Sequence, residues 1–473
     1  MVRSFLLLLS LGFAGFLQAQ DAPVFTLQEC IDKALENSLD IKEQQLAKAQ
    51  LGINYHQSKM NQLPSVNASG AHNYNFGRTI DPFTNTFITQ SIQSNNFSLN
   101  AGVTLYNGFV LRNTMLRSKN ELERNEYVEQ IIQNNLALAV ADAYLQVVFA
   151  EQQLRNAEIQ RTTTLAQLTR VRELVAAGST NRSEQLNLEA QLANDDASIL
   201  NAKGNIRLAY LTLSLLMQVP ETETYRVAEV QLPSLDAAAA VDMQDVLERC
   251  LTELPEIKNA EEQEESAMFQ EKIAKGSLYP SLSLFANANT LYSETRLERF
   301  NQQTSVIPIG YTSSNELVFS EIETFDTRTT NFGQQLSDNF GQAVGLRLSV
   351  PIFNNYRVKN NIELAKLNTQ LSELNAERVK NQIRNDVVRS FTDYENARLN
   401  YAAAQKSYEA QKLNYDFMLQ RYEAGLVNAT DLLLTKNAML NAQNNLDRTG
   451  YQLIFTKTQL EFYRTGALIL QMN

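Results

Sequence analysis

The side chains that could carry chemistry in this 473-residue chain are few. There are two histidines, His56 and His72, and two cysteines, Cys30 and Cys250. No GxSxG elbow, phosphate-binding glycine loop, HExxH motif or closely spaced cysteine pair occurs, so the expectation is a protein that is not an enzyme, with no catalytic, cofactor-binding or metal residues. Carboxylates are more plentiful. The run EEQEE at 261–265 has the charge for a cation but reads as the solvated face of a helix. Glu184 and Asp431 are placed more specifically: each follows an asparagine, Asn181 or Asn428, by three residues, in the turns VAAGSTNRSEQL and YEAGLVNATDLL. That is the spacing of a helix N-cap and its reciprocal acid, with Gly178 and Gly425 suited to the left-handed position that ends the preceding helix. In a closed assembly of several chains the same acids gather at one end, where like charges repel, bind cations and make opening sensitive to pH and salt. The two roles coexist.

The elements that hold these turns are very long. Between Phe109 and Ala177 there is neither proline nor glycine, enough for a helix of about 100 Å at 1.5 Å per residue. The segment after the first turn carries Leu188, Leu192, Ile199, Ala202, Ile206, Ala209, Leu213 and Leu216 at heptad spacing, and the second copy has Met439, Ala442, Leu446, Leu453, Leu460 and Tyr463 in the equivalent places. A second stripe of Leu186, Ala190, Ala193, Ala197, Leu200 and Gly204 runs alongside. Two seams on one helix call for a neighbour on either side, as in a hollow tube of helices; a solid antiparallel bundle is the alternative.

The chain is written twice. Leu27 answers to Met243 and Pro64 to Pro280 at one offset, LYNGFVLRN to IFNNYRVKN and Gly178 to Gly425 at an offset 31 residues longer. The added length falls between the strands, so residues from about 295 to 337 form a long exposed loop in the second copy. The expected organisation is a leader over 1–20, a first repeat over 21–230 (a helix, strands within 64–107, a helical hairpin over 108–217) and a second over 231–473 (a helix, strands within 280–353, a hairpin over 354–464).

The strands alternate with period two. Phe97, Leu99, Ala101, Val103 and Leu105 oppose Ser98, Asn100, Gly102, Thr104 and Tyr106; Val66, Ala68, Tyr74 and Phe76 oppose Asn67, Ser69, Asn73 and Asn75. In the second copy Leu282, Leu284, Ala286 and Ala288 form one face, and Phe340, Val344, Leu346, Leu348, Val350 and Ile352 another. A half-buried soluble sheet has such alternation, but a second face rich in Asn, Ser and Gly suits a water-filled lumen, as in an outer-membrane barrel. Tyr74, Phe76, Phe97, Tyr292, Phe340 and Phe353 are expected near strand ends as an interfacial girdle. Four strands cannot close, because barrels start at about eight; two chains give eight and three give twelve. The leader has Arg3, an apolar run from Phe5 to Leu17 and a small residue at Ala19, the pattern of an exported protein. Beyond it no apolar stretch of about 18 residues exists. The net charge of −11 argues against nucleic-acid partners. Cys30 and Cys250, in matching segments, are packed thiols or, in an oxidising compartment, a disulfide.

The duplication, ALENSLDI near the start, QLPSV and LYPSL before strands, the LYNG and PIFNN strand exits and RYEAGLVNATDLL at a turn together resemble the TolC-like outer membrane factors. The resemblance covers the whole mature chain. It implies a mainly α fold with β: a homotrimer with a twelve-stranded barrel among outer-membrane lipid, a periplasmic helical tube, and a belt of shorter helices near 24–61 and 241–278. It implies an exit duct of tripartite efflux or type I secretion systems, docked by its tips (Gly178, Ser179, Gly425, Leu426) to a periplasmic adaptor and driven by an inner-membrane RND or ABC transporter. By position Glu184, Tyr422 and Asp431 match constriction residues of the family. Val427 stands where a gate arginine can occur, and hydrophobic packing there takes over part of the lock; Leu434 stands where a second ring aspartate can. The alternative is a barrel-anchored periplasmic coiled-coil scaffold that does not conduct.

Overall fold

The computed structural model describes residues 23–80, 85–89, 91–220, 225–232 and 243–465; the leader expected over 1–20 lies outside them. In chain order come β1 (Val24–Phe25), α1 (Leu27–Asn37), α2 (Leu39–Met60), β2 (Ser65–Asn75), β3 (Arg78–Ile80), β4 (Phe87–Thr89), β5 (Ile92–Tyr106), α3 (Val110–Ala176) and α4 (Arg182–Met217). Then follow β6 (Arg226–Val227), α5 (Met243–Glu253), α6 (Pro255–Gly276), β7 (Ser281–Ser293), β8 (Leu297–Tyr311), β9 (Leu317–Thr329), α7 (Phe332–Asp338), β10 (Gly341–Ser349), α8 (Arg357–Glu423) and α9 (Ala429–Thr465). The duplication is visible in lengths. Helices α1 and α5 have 11 residues each, α2 and α6 22 each, α3 and α8 67 each.

Two compact units are present, one of Leu51–Asn120 with Glu265–Leu371, the other of Met1–Gln50, Glu121–Glu264 and Ser372–Asn473. Each takes segments from both repeats. In the first, the sheet order is β10-β7-β5-β2, all antiparallel. Its register puts Leu99 opposite Ala68 and Ala288, and Leu284 opposite Val103 and Leu346, so the apolar residues of all four strands share one face. The other face carries a row of Asn67, Asn100 and Asn287, with Ser69, Ser98 and Asn289 in the next row. Phe97 departs from the expected girdle: it lies inside β5 opposite Gly70, where a Cβ would come within 3.2 Å of its ring. Phe285 covers Gly345 in the same way on the polar face. Such pairs fill the space a glycine leaves in a strand. Tyr74, Phe76, Tyr292 and Phe340 do stand at or just beyond strand ends. Strand β10 stops at Ser349, so Val350 and Ile352 lie past it.

The long loop of the second copy is not structureless. Strands β8 and β9 form a hairpin, closed by the turn Thr312–Glu316 with Asn315 at φ 61°, and α7 follows. The strand exits explain the LYNG and PIFNN echo: Gly108 and Phe109, then Asn355 and Tyr356, all take positive φ at the bend into the long helix. Gly108 also crosses Gly276, and a Cβ on Gly108 would lie 2.2 Å from the Gly276 carbonyl oxygen. No larger residue fits either place.

In the second unit the core packs α1, α3, α4 and the β1–β6 pair around Tyr144, Val140, Val147, Leu213 and Met217. Tyr144 is fully buried, and its hydroxyl donates to the carbonyl oxygens of Phe25 (3.2 Å) and Ala228 (3.0 Å). Cys30 and Cys250 are both buried free thiols, pushed upward in pKa first by burial, and Cys250 donates to the Tyr463 carbonyl at 3.0 Å. Thr26 and Glu29 form a complete capping box on α1. The first heptad stripe of α4 is buried or half-buried throughout. The second is exposed along its length, with Leu186 at 54% and Leu200 at 71% of full exposure. Helix α8, whose residues fall in both units, likewise exposes Leu364, Leu367, Leu371 and Leu374, three and four residues apart.

Candidate functional site: the helical tips

Both hairpins turn by the same device. The Ser179 N–H donates to the Leu174 carbonyl (2.8 Å) and the Gly178 N–H to Val175 (3.0 Å); Leu426 repeats this with Arg421 (2.9 Å) and Gly425 with Tyr422 (3.0 Å). This is the Schellman arrangement, and Gly178 (φ 72°) and Gly425 (φ 73°) supply its left-handed residue. Ser179 and Leu426, one residue further on, are exposed.

The reciprocal capping boxes expected at the two turns do not form. Asn181 caps α4 through Ser183, whose N–H donates to Oδ1 at 3.0 Å, while the Glu184 carboxylate accepts from the Thr180 hydroxyl at 2.8 Å. Thr180 immediately precedes the cap, and its hydroxyl takes the place that the cap's own N–H has in a reciprocal box. At the second tip Asn428 accepts from the Asp431 N–H at 2.8 Å, and the Asp431 side chain is exposed.

The tip gathers one cluster that spacing could not reveal. The Arg170 guanidinium lies 5.6 Å from the centre of the Tyr422 ring, joining α3 to α8 by a cation–π contact. Burial holds the Tyr422 hydroxyl above its ordinary pKa, the Glu184 carboxylate pushes the same way, and Arg170 opposes both. Of the sequence-derived constriction residues, then, Glu184 and Tyr422 come together. Val427 is half-buried and Leu434 is 64% exposed.

Above this cluster the α3–α4 contact is apolar, built from Leu168, Val171 and Leu188. The α3–α9 contact at the same level is polar. The ammonium of Lys436, 2% exposed, donates to the Gln160 carbonyl and the Thr164 hydroxyl, both at 3.4 Å. Burial lowers its pKa to about 8, with buried Asp195 on α4 opposing. One turn further along α3, Asn156 donates to Asn444 (3.0 Å) and to the Asp447 carboxylate (2.8 Å), whose pKa burial raises. Thus Asn156, Gln160 and Thr164 line one face of α3 with buried amides and a hydroxyl where a seam normally has leucines. Sequence reading missed Arg170, Lys436 and Asp195. A lysine at a heptad-interior position was the one available signal.

The EEQEE run lies on α6 and is only partly solvated: Glu261 pairs with Lys258 at 3.6 Å and Lys380 at 3.1 Å. Among the described residues no group of three or more His, Cys, Asp and Glu is set to hold a metal ion, and no helix is long and apolar enough to cross a membrane.

A family model, outer membrane efflux protein, matches residues 30–217 and 246–463. The chain is 27% identical over 172 residues to the pyoverdine export outer membrane protein OpmQ of Pseudomonas aeruginosa; that match covers 36% of this chain and 35% of the relative, about a third of its length. Among solved structures it is similar to CusC (TM-score 0.75, 17% identity, 93% of this chain and 92% of that one). It is also similar to VceC of Vibrio cholerae (0.73, 14%, 93% and 95%) and CmeC of Campylobacter jejuni (0.70, 18%, 94% and 87%).

Proposed function

This chain belongs to the outer membrane efflux protein family, an outer-membrane channel for efflux, and on that premise we propose that three copies share one barrel and one conduit, the exit duct of a tripartite efflux or type I secretion system. The observation that carries this reading is the open sheet β10-β7-β5-β2, apolar on one face and lined with Asn and Ser on the other. Among the described residues its edge strands β10 and β2 have one ladder partner each. An open edge in hydrocarbon costs several kcal/mol per unpaired backbone group, so β2 of one copy must pair with β10 of the next. Twelve strands from three copies exceed the roughly eight-strand minimum and leave an aqueous interior. The exposed stripes of α4 and α8 support the same assembly, since each needs a helix from another copy.

The periplasmic tips form the gate. Arg170, Tyr422 and Glu184 tie α8 to the first hairpin and stand in for the arginine lock that Val427 replaces, while Asp431 and Glu184 from each copy make the constriction acidic. Opening moves the α8–α9 pair away from α3 along the polar seam. Exposed Ser179 and Leu426, beside Gly178 and Gly425, are the docking points for a periplasmic adaptor, through which an inner-membrane RND or ABC transporter supplies the energy. The duct itself is passive and takes no cofactor; the coupled pump selects the substrate.

The test is photo-crosslinking from Ser179 and Leu426 in living cells, with captured partners identified by mass spectrometry, beside conductance of the purified protein in planar bilayers. Capture of an adaptor with its pump, and channels that widen in Arg170→Ala, are expected. No channel from any open-tip variant would overturn the duct in favour of a barrel-anchored scaffold, and capture of sibling copies alone would overturn the docking role of the tips.

A further inference from the structure

Strand β7 runs higher than its neighbour β10. The β7–β10 ladder ends at Asn289 opposite Gly341, yet β7 continues to Ser293 alongside β5. The backbone groups on that stretch of edge are met by side chains of α7 and its C-cap. Gln335, fully buried, accepts the Ser293 N–H at 2.9 Å and donates to the Ser293 carbonyl at 3.0 Å, as a strand residue would, and it donates to the Thr330 carbonyl at 3.0 Å. Asn339 donates to the Leu291 carbonyl at 2.7 Å. In water such an edge needs no partner; where water is scarce it does.

Helix α7 also lies on a definite side of the sheet. Thr290 shares a face with Ala288, Ala286 and Leu284, and its hydroxyl donates to the Leu336 carbonyl at 2.7 Å. The rings of Tyr292, on that same face, and Phe332 stand 5.0 Å apart. Helix α7 therefore covers the upper end of the apolar face. Its residues divide into two stripes: Gln335 and Asn339 toward the strand edge, Phe332 and Leu336 with the following Phe340 on the other. Phe332 is 43% and Phe340 57% exposed. Arg296 pairs with Asp338, the one charged residue of the helix, at 2.8 Å and donates to Asn339 at 3.1 Å. From Leu282 to Tyr292, at about 3.3 Å per residue and about 40° of tilt, this face rises about 25 Å, the height of a barrel's hydrocarbon band; Gln342, opposite Ala288, is a polar exception within it, and Asn95 and His72 share the Tyr292 row at its upper margin.

We propose that α7 is an interfacial helix, seated on the outside of the barrel at the boundary between hydrocarbon and headgroups of the outer leaflet, with Phe332, Leu336 and Phe340 in contact with lipid. Its occupant is lipid because the stripe continues the apolar, lipid-facing side of the sheet. It closes the edge that β7 leaves open and fixes how deep the barrel sits. The inference rests on the barrel reading, and the test separates the two.

The chain has no tryptophan, so a single introduced one reports alone. Phe332→Trp, Phe340→Trp and, as a reference in the middle of the apolar band, Val344→Trp are each assembled in phosphatidylcholine vesicles brominated either near the headgroup end or near the terminal methyl of the acyl chain. The expected result is blue-shifted emission from positions 332 and 340, quenched more by the shallow bromines than by the deep ones, with the reverse order at 344. Emission at 332 and 340 that aqueous acrylamide quenches, or blue-shifted emission that no bromine reaches because another copy covers the site, overturns the proposal. Failure of lipid bromines to quench 344 overturns the barrel reading itself. If Phe332→Trp does not assemble, Phe340→Trp decides alone.

Discussion

Helix α3 meets α9 in two ways. Near α1, its residues Tyr144, Val147 and Val148 and neighbouring Phe149 pack with Tyr451, Ile454 and Phe455 in a continuous apolar core. Toward the tip the same pair of helices meets through Asn156, Gln160 and Thr164 against Asn444, Asp447 and Lys436. Apolar packing rewards burial at almost any register that fills space, and it is costly to part. Buried polar groups add little net stability but fix one alignment, and they trade partners when the alignment changes. On the proposed gating, the first contact is the one that stays and the second the one that is made and broken.

The largest effects are expected in the apolar half. Tyr144→Ala removes a fully buried ring and strands two carbonyls, and is expected to cost about 3–5 kcal/mol, seen as a lower urea midpoint by circular dichroism. In the polar half, Asp195→Ala alone removes the buried carboxylate whose charge favours the Lys436 ammonium and is expected to destabilise by about 3 kcal/mol. Lys436→Met with Asp195→Leu is expected to be neutral or stabilising by about 1–4 kcal/mol while holding the channel shut in bilayer recordings. A double variant that destabilises as much as the single one would remove the distinction between the halves. Stability should also depend on pH through Lys436. Burial lowers Lys436 to about 8, so between there and its ordinary value near 10.5 the unfolded chain binds the extra proton and this residue makes stability rise with pH. Below that window the full cost of the buried ammonium remains, and Lys436→Met should flatten the rise.

The fold was far more legible than the gate. Strand faces follow from period-two alternation, and the ends of α3 from Gly108 and Gly178, because both are local. Phe97 misled because aromatic type alone does not fix height along a strand; Gly70 across the ladder sets its place. The β8–β9 hairpin was readable in principle, since TSSNE separates two β-branched runs, but its charged residues mask the alternation. Arg170 is the opposite case: nothing within ten residues of it distinguishes it from Arg172, which pairs with Glu189 at 2.8 Å. Only the packing of α3 on α8 does so.

Smaller effects test the tip. Arg170→Ala gives up a cation–π contact of about 0.5–1 kcal/mol and should raise open probability without changing overall stability measurably. Glu184→Gln with Asp431→Asn is expected to weaken divalent-cation block of the pore; unchanged block would make both acids helix-end residues and nothing more.

The exposed stripe of α4 has a genetic consequence. In the proposed assembly of three copies, a chain that shows Leu186, Leu200, Leu208 and Leu215 to water is not finished when it has folded, and its final state is reached by mass action with its siblings. A charged substitution at Leu200 therefore need not harm the chain that carries it in order to do damage. Expressed beside the normal protein, it is expected to enter mixed assemblies and spoil them, so the lesion should be dominant over the wild type, whereas a core lesion such as Tyr144→Ala, which removes the subunit before assembly, should be recessive.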